Sequence, residues 1–350
     1  MQYLSISGLK IKSVYGCLPQ QRVDNRETLL EMYGERVDSI VKATGILQRY
    51  IANPGTSSLD LCVRAAEQMM CDMEYDRSSV GALVSVSFTP HQLMPSNASL
   101  AQHRLGLPKH IVAMDINFAC SGYAYGLWLA GTLAQSLGKP VILLDGDVQS
   151  AFLSPYDSAT VPVLADAGSA TLIEPMGDDV WTFAFYTDGS RSDYLRIPAG
   201  GSAYIANEAA WEYHQFDDIG QRRDRDIAMD GFAIFKFVAQ DVSQMLVQFL
   251  KDQGSTASDF GAFIPHQANM YMVRQLGKRV GFSSDKLWQS GDVFGNSASA
   301  TVPMTIALRA AEALEHQSER VLLSGFGAGL SLSIADMYLG KHAVYRIIDY

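Results

Sequence analysis

Residues 111–137 decide how this chain is organised, and they read IVAMDINFACSGYAYGLWLAGTLAQSL. An apolar run ends at Ile116 and a largely apolar helix pattern begins at Gly122, which predicts a strand, a turn and a buried helix. Cys120 lies in the turn, at the positive end of the predicted helix dipole, where the pKa of a thiol is lowered. Cys120 is therefore a candidate nucleophile, although a buried structural cysteine fits this local sequence equally well.

The same alternation of strand and helix patterns runs through the whole chain and predicts an α/β fold with largely buried strands. The order of elements around Cys120 recurs around Asn296, which predicts two similar βαβαβ halves, residues 1–174 and 175–350. The strand patterns cover residues 1–12, 81–88, 111–116, 141–145, 170–173, 261–264, 321–324 and 330–338. The helix patterns cover residues 58–72, 99–105, 122–137, 230–252, 270–280 and 301–316.

Composition argues against several classes of function. The chain has 350 residues, is 48% hydrophobic and carries a formal net charge of −10 without a block of lysines and arginines, which argues against nucleic-acid binding. No apolar run approaches the roughly 20 residues that cross a bilayer, and the N-terminus lacks the pattern of a secretory signal. The cysteines lack metal-site spacing. We therefore expect a cytoplasmic protein with reduced cysteines, no metal site and no membrane partner.

Two further motifs supply polar side chains beside turn-forming residues. Residues 264–269 read IPHQAN and place His266 after a predicted strand, while residues 295–298 read GNSA and contain Asn296. Taken singly, His266 fits an ordinary buried histidine and Asn296 fits a turn former. Together with Cys120 they can form a thiolate nucleophile that faces two neutral hydrogen-bond donors. Such a site can hold an acyl group as a thioester and stabilise an enolate.

A glycine-rich segment follows the last of the predicted buried strands, and residues 324–331 read SGFGAGLS. Backbone N–H groups in such a hairpin can approach a reacting oxygen. A hairpin with a purely structural role fits the same residues.

Charged residues cluster at two places. Residues 221–226 read QRRDRD, and because both signs alternate we interpret them as a solvated loop. Arg274, Lys278 and Arg279 fall roughly on one side of a predicted helix. They form either a solvated face or a basic patch for an acidic partner.

Taken together, these motifs resemble the thiolase-fold condensing enzymes, and most closely β-ketoacyl-acyl-carrier-protein synthase III. The resemblance runs nearly end to end and implies a thiolase-like fold with α-β-α-β-α layers. It also implies decarboxylative Claisen condensation of a Cys-bound acyl group with a malonyl thioester, giving a 3-oxoacyl thioester in fatty-acid or polyketide-type biosynthesis. The stretches that carry it are residues 44–52 (TGILQRYIA), 118–122 (FACSG), 166–170 (DAGSA), 266–269 (HQAN), 295–298 (GNSA) and 326–329 (FGAG).

The resemblance implies a role for each residue of the site. Cys120 would take an acyl group from a thioester donor. His266 and Asn296 would hydrogen-bond the thioester carbonyl of a malonyl extender and stabilise the enolate left when carbon dioxide departs. The backbone N–H groups of Cys120 and Ala328 would form the oxyanion hole. Ala328 stands where the family usually has glycine, a change that keeps the N–H.

The resemblance also implies partners: an acyl carrier protein, and a second copy of the chain in a homodimer. Met94 would close the acyl pocket of the partner subunit, and Gln267, Arg274, Lys278 and Arg279 would contact the carrier protein. No bound cofactor is expected, because the acyl donor, a thioester of coenzyme A or of carrier-protein phosphopantetheine, is a substrate.

This chain departs from the family at four positions that usually hold coenzyme A, which here are Ser39, Ala43, Ser158 and Tyr271. We therefore expect the acyl donor to arrive on a carrier protein or as an unusual acyl-CoA. Two alternatives to condensation stay open. One is an acyltransferase that moves an acyl group from Cys120 to a hydroxyl or amine. The other is a non-catalytic partner subunit of a heterodimeric synthase, against which the presence of Cys120 counts.

Overall fold

The computed structural model describes residues 2–217 and 220–350. The strands are β1 (Tyr3–Leu18), β2 (Gln21–Asp24), β3 (Gln48–Ile51), β4 (Ala82–Val86), β5 (Val112–Ile116), β6 (Val141–Asp147), β7 (Ala167–Thr187), β8 (Leu195–Arg196), β9 (His214–Asp217), β10 (Gly220–Arg222), β11 (Ala228–Met229), β12 (Ala262–Pro265), β13 (Glu319–Gly327), β14 (Ser331–Leu339) and β15 (Val344–Asp349). The helices are α1 (Asn25–Thr28), α2 (Leu30–Tyr33), α3 (Val37–Thr44), α4 (Ser58–Asp72), α5 (Asn97–Arg104), α6 (Gly122–Leu137), α7 (Gly231–Phe237), α8 (Ser243–Asp252), α9 (Met270–Val280), α10 (Gly291–Phe294) and α11 (Thr301–Ala313). Within the described ranges, no helix combines the length and apolar character needed to cross a membrane.

Two long strands, β1 and β7, run side by side through the middle of one nine-stranded hydrogen-bonded network, whose two halves on either side of this pair form two sheets. β7 pairs with β6 through residues 167–173 and with β14 through residues 182–187, while β1 follows it in antiparallel pairing. The hydrogen-bonded order is β12-β13-β14-β7-β6-β4-β5, with β1 beside β7 and β15 beside β1. Because one strand pair enters both sheets, it fixes how the two sheets sit against each other.

Apolar cores separate the layers of the molecule. The central core encloses side chains of α6 and α11, such as Leu127 and Ile306, between the inner faces of the two sheets. One outer core packs α4 and α5 against β4 and β6, and another packs α7, α8 and α9 against β12, β13 and β14. The layers therefore run helix, sheet, helix, sheet, helix, which confirms the predicted thiolase-like α/β class. The central position of α6 explains why its sequence is apolar on most faces.

Most predicted elements are confirmed, and α4, α6 and α9 have the predicted bounds. The largest difference is β7, which continues to Thr187 where the sequence pattern ended at residue 173. Pro175 and Gly177 usually interrupt a strand, but here they fall in an irregularity of the pairing with β1, between the pairs Lys10–Glu174 and Leu9–Asp179, and regular pairing resumes after them. The predicted division between residues 174 and 175 falls inside this strand, and the two-half division stays a prediction.

Residues 221–226 are not a solvated loop, so that prediction was wrong. Arg222 and Asp157 are each 1% exposed and form an ion pair, with Nε 2.7 Å from Oδ2. Arg223 pairs with Asp226, whose side chain is 0% exposed. The local pattern could not reveal this, because the carboxylate that pairs with Arg222 lies far away in the sequence.

Gly168 gives a test of how tightly β7 packs on α4. A Cβ at this position would lie 2.6 Å from the backbone nitrogen of Cys62 and 2.6 Å from the Cβ of Leu61. We expect Gly168→Ala to lower the free energy of unfolding by roughly 1–3 kcal/mol, because the added methyl group forces the strand and helix apart. Urea denaturation measures the change. Gly189→Ala is the matched control, since nothing lies within 4 Å of its added Cβ. Equal stability of the two variants would contradict the close packing.

Candidate active site

Cys120 lies between the end of β5 and the start of α6, as the sequence predicted. The residue is half-buried, and Ser121, which precedes the helix, is 1% exposed. No side chain caps the N-terminus of α6, and the N–H of Gly122 donates to the carbonyl oxygen of Ala119 at 2.8 Å. The cysteine is thus held by the turn itself, at the end of the central layer.

The glycine-rich end of β13 packs directly against Cys120. A Cβ at Gly327 would lie 2.8 Å from the Cβ and 3.1 Å from the Sγ of Cys120, and a Cβ at Gly325 would lie 2.7 Å from the carbonyl oxygen of Cys120. Only glycine allows this approach. Ala328, which was predicted to supply an oxyanion-hole N–H, directly follows Gly327, and Gly327 contacts the cysteine.

Two serines tie these segments together, and sequence reasoning missed both. The hydroxyl of Ser331 donates to the carbonyl oxygen of Ala328 at 2.7 Å, and its oxygen lies 2.7 Å from the hydroxyl oxygen of Ser121. The hydroxyl of Ser333 donates to the carbonyl oxygen of Ser121 at 2.7 Å. Serines in a hairpin carry no distinctive pattern, so only their contacts show that they hold the cysteine turn and the Ala328 loop together.

His266 follows β12 and is 2% exposed. Its backbone N–H donates to the carbonyl oxygen of Ser324 at 2.7 Å, and its ring meets the ring of Phe326 edge to face, with centroids 5.3 Å apart. Its Nδ1 lies 2.7 Å from the hydroxyl oxygen of Thr301. Burial lowers the pKa of His266 to about 3, so the imidazole is neutral at physiological pH. The imidazole is thus neutral as predicted, and its role as a hydrogen-bond donor stays a prediction.

Asn296 is held by its neighbours on both sides. Its side-chain Nδ2 donates to the carbonyl oxygen of Ala268 at 3.3 Å, and its Oδ1 accepts from the N–H of Ala298 at 2.9 Å. Ala268 also donates its N–H to the carbonyl oxygen of His266 at 3.1 Å. The structure therefore brings the HQAN and GNSA motifs together, as the prediction of one shared site required.

Asp147, at the end of β6, connects the segments around the site and was not predicted. Its Oδ1 accepts from the hydroxyl of Ser87 at 3.0 Å, from the N–H of Phe88 at 2.9 Å, and from the N–H and hydroxyl of Thr89 at 3.2 and 3.0 Å. Its Oδ2 accepts from the hydroxyl and N–H of Ser299 at 2.5 and 3.3 Å. Burial raises the pKa of Asp147 to about 6, so the carboxylate is ionised at neutral pH. It anchors the segment that carries Asn296.

The thiol of Cys120 is not activated by its surroundings in this structure, so the predicted lowering of its pKa was wrong. Burial raises the pKa of the Cys120 thiol to about 12, and the charge of Asp147 raises it further. Asp145 is also fully buried, with neither carboxyl oxygen hydrogen-bonded, and burial raises its pKa well above the usual range.

The remaining predicted residues lie in different settings. Met94 is 85% exposed, and Arg274, Lys278 and Arg279 are exposed on α9. Gln267 is 0% exposed; its Oε1 accepts from the N–H of Ser290 at 3.0 Å, and its Nε2 donates to the carbonyl oxygen of Pro265 at 2.6 Å. The prediction that Gln267 contacts a carrier protein was therefore wrong, because its amide is used inside the protein.

Comparison with known proteins agrees with this geometry. Residues 114–189 match the family model of 3-oxoacyl-[acyl-carrier-protein] synthase III, and residues 250–337 match the model of its C-terminal part. β-Ketoacyl-[acyl-carrier-protein] synthase III of Nitratidesulfovibrio vulgaris is 30% identical over 328 residues, 92% of this chain and 96% of that protein. The crystal structure of 3-oxoacyl-(acyl-carrier protein) synthase from Burkholderia xenovorans has a TM-score of 0.93 at 30% identity and covers 100% of this chain and 99% of its own. The 3-oxopimeloyl-[acyl-carrier-protein] synthase of Brucella abortus is 28% identical over 90% of this chain and 93% of that protein.

The layered fold and these matches define a condensing acyltransferase of the thiolase-like class. The chain belongs to the β-ketoacyl-acyl-carrier-protein synthase III family.

The raised pKa of Cys120 predicts how the free protein reacts with iodoacetamide. Only the thiolate reacts, and at pH 7 a thiol with a pKa near 12 is about 0.001% ionised. We expect alkylation of Cys120 to be slow at pH 7 and to accelerate about tenfold per pH unit up to pH 10. Intact mass after timed quenching measures the rate, with a Cys120→Ala protein as the correction for other cysteines. A rate that levels off below pH 8 would show a thiol activated in the free protein.

The contacts of Asp147 predict that Asp147→Asn destabilises the protein. An amide presents an NH₂ group to donors that need an acceptor, so hydrogen bonds to Ser299 or to the residues after β4 are lost. We expect the free energy of unfolding to fall by about 2 kcal/mol or more. Guanidinium denaturation followed by circular dichroism measures it. Asp38→Asn, at a side chain 85% exposed, is the control and should change stability by less than about 0.5 kcal/mol. Equal stabilities would contradict the anchoring role of Asp147.

Proposed function

We propose that this protein joins a Cys120-bound acyl group to a malonyl thioester, with His266 and Asn296 binding the malonyl thioester carbonyl. The observation that carries this proposal is the convergence of distant motifs. Gly327 packs on Cys120, His266 meets Phe326 beside that glycine, and Asn296 bonds to the segment that contains His266.

The reaction begins with transfer of the acyl group to the sulfur of Cys120, and the thiol proton leaves with the donor thiol. The malonyl thioester then binds and loses carbon dioxide. The ring N–H of His266 and the side-chain amide of Asn296 hydrogen-bond the enolate oxygen that develops. A neutral imidazole suits this role, because its low pKa keeps it from taking a proton from the medium.

The carbanion attacks the carbonyl of acyl-Cys120, and the tetrahedral oxyanion accepts hydrogen bonds from the backbone N–H groups of Cys120 and Ala328. Collapse of this intermediate releases the 3-oxoacyl thioester, and the Cys120 sulfur regains a proton. The hydrogen bond from Ser331 to the carbonyl of Ala328 supports this step, because it restrains the backbone directly after the Ala328 N–H. Loss of one oxyanion-hole donor slows a reaction by roughly 10²–10³-fold.

We propose acyl carrier protein as the partner that delivers the malonyl group, and the exposed cations of α9 as its contact. Arg274, Lys278 and Arg279 are exposed on that helix, and a carrier protein is acidic. The overall charge of −10 disfavours such a partner, so the contact has to be local and salt-sensitive. Gln267 takes no part, because it is buried.

We propose that two copies form a homodimer through the edge of the sheet at β5. Among the described residues, β5 pairs only with β4, and its Val112, Met114 and Ile116 are partly exposed. An open, apolar edge strand favours pairing with another chain. Met94, whose side chain projects into solvent, would then reach the acyl pocket of the partner subunit.

We propose that the acyl donor is either carrier-bound or an unusual acyl-CoA. Tyr271 stands where the family usually has arginine, and it stacks on Phe235, with centroids 6.4 Å apart. The segment before Ser158 carries Asp157, whose carboxylate is already paired with Arg222. These positions offer no cation for a coenzyme A phosphate. The relative from Brucella abortus, named for a 3-oxopimeloyl product, supports a family range wider than one acyl group.

The proposal is tested by following both half-reactions. To follow acylation, acyl-CoA and acyl-carrier donors are incubated with the protein, and the acylated protein is detected by intact mass. To follow condensation, the release of labelled carbon dioxide from malonyl carrier protein is measured. We expect acylation to vanish in Cys120→Ala, and decarboxylation to fall by roughly 10²-fold or more in His266→Ala and Asn296→Ala. Cys71→Ala, at an exposed cysteine, is the matched control.

Each alternative predicts a different result. Acyl-Cys120 formed without carbon dioxide release, and consumed by a hydroxyl or amine acceptor, would favour the acyltransferase without condensation. Product formation that survives Cys120→Ala would favour a non-catalytic partner subunit. Efficient loading by acetyl-CoA would contradict the proposed donor and leave the condensation intact.

A further inference from the structure

Thr301 is the side chain that contacts the ring nitrogen of His266. It is 1% exposed, begins α11, and its hydroxyl oxygen lies 2.7 Å from Nδ1. The same hydroxyl is placed to donate to the carbonyl oxygen of Ala298 at 3.0 Å, and that carbonyl oxygen also hydrogen-bonds the His266 ring. One hydroxyl proton therefore has two acceptors within reach.

The more basic acceptor is the imidazole nitrogen, and it is also the closer one. The carbonyl oxygen of Ala298 already accepts the backbone N–H of Thr301, so it keeps a partner when the hydroxyl turns away. A neutral imidazole has one N–H and one bare nitrogen, and the hydrogen bond at one nitrogen decides which nitrogen carries the proton. When Nδ1 accepts the hydroxyl proton, the ring proton is on Nε2.

We propose that Thr301 is a positioning residue that donates to Nδ1 and so holds neutral His266 in the tautomer whose Nε2–H points to the substrate. This inference rests on the proposed role of His266 as a donor to the malonyl thioester carbonyl. The opposite tautomer presents a bare Nε2 to the carbonyl oxygen, and a lone pair facing an oxygen that gains negative charge opposes decarboxylation.

The fold fixes this hydroxyl in place. Ala298 adopts a left-handed backbone conformation with φ of 50°, and Asp147 holds the next residue, Ser299, through its N–H and hydroxyl. The hydroxyl of Thr305 donates to the carbonyl oxygen of Thr301 at 2.7 Å. Because both flanks are bonded, the start of α11 presents its first side chain to the ring at a fixed distance.

Thr301→Val and Thr301→Ser test the inference, since valine keeps the shape without the hydroxyl and serine keeps the hydroxyl. In protein with ¹⁵N-labelled histidine, the chemical shifts of the His266 ring nitrogens report the tautomer. We expect the Nε2–H form in the unmodified protein and in Thr301→Ser. In Thr301→Val we expect a shift to the Nδ1–H form, which can donate to the carbonyl oxygen of Ala298.

Activity gives a second readout. We expect Thr301→Val to reduce the kcat of malonyl decarboxylation by roughly 10–100-fold, with a much smaller effect on acylation of Cys120, and Thr301→Ser to restore most of the loss. An Nδ1–H tautomer in the unmodified protein would overturn the inference, as would a Thr301→Val protein that keeps the Nε2–H form or decarboxylates at the original rate.

If the valine variant does not fold, Thr301→Ala takes its place, because alanine also removes the hydroxyl and the same shift to the Nδ1–H form is expected. If the unmodified protein shows no decarboxylation, the proposed function fails. The ring-nitrogen spectra still establish or refute the control of the tautomer by Thr301 in that case, so the two failures are distinguishable.

Discussion

The site depends on one buried carboxylate. Asp147 lies at the end of β6 and accepts hydrogen bonds from Ser87, Phe88 and Thr89 on one side and from Ser299 on the other. Ser87, Phe88 and Thr89 lie more than 50 residues before Asp147 in the sequence, and Ser299 lies about 150 residues after it. Without the Asp147 carboxylate, buried hydrogen-bond donors in the segment that carries Asn296 and begins α11 would have no partner. Each such donor would cost about 1–3 kcal/mol.

The same carboxylate affects the nucleophile. Burial raises the pKa of Cys120, and the negative charge of Asp147 raises it further. The group that orders the site therefore also keeps the free thiol protonated. His266 is subject to the same loss of hydration, which lowers its pKa and keeps it neutral. Cysteine and histidine are therefore both uncharged before substrate binds. The ordered polar groups, not a preformed thiolate, are what the free protein contributes.

Local pattern predicted the residues with chemistry but not those that hold them. Cys120 and His266 were found because each follows a strand pattern in a distinctive motif. Asp147, Ser331 and Thr301 were missed, because an acidic residue after a strand or a hydroxyl in a hairpin or at a helix start is common, and its partners are distant in sequence. Gln267 was misassigned for the same reason, since nothing in its motif indicates that Ser290 and Pro265 enclose its amide.

The sequence by itself determined the α/β class, the bounds of α4, α6 and α9, and the motifs that carry the family resemblance, because periodicity and short motifs are local properties. Only the tertiary structure decided that β7 continues past Pro175, that Arg222 is buried, and that the cysteine in the turn after Phe118 is protonated rather than activated. These outcomes depend on burial and on hydrogen-bond partners brought together by the fold. Residues 111–137 thus identify Cys120 as the candidate nucleophile, but the protonation state of its thiol depends on hydration and on Asp147.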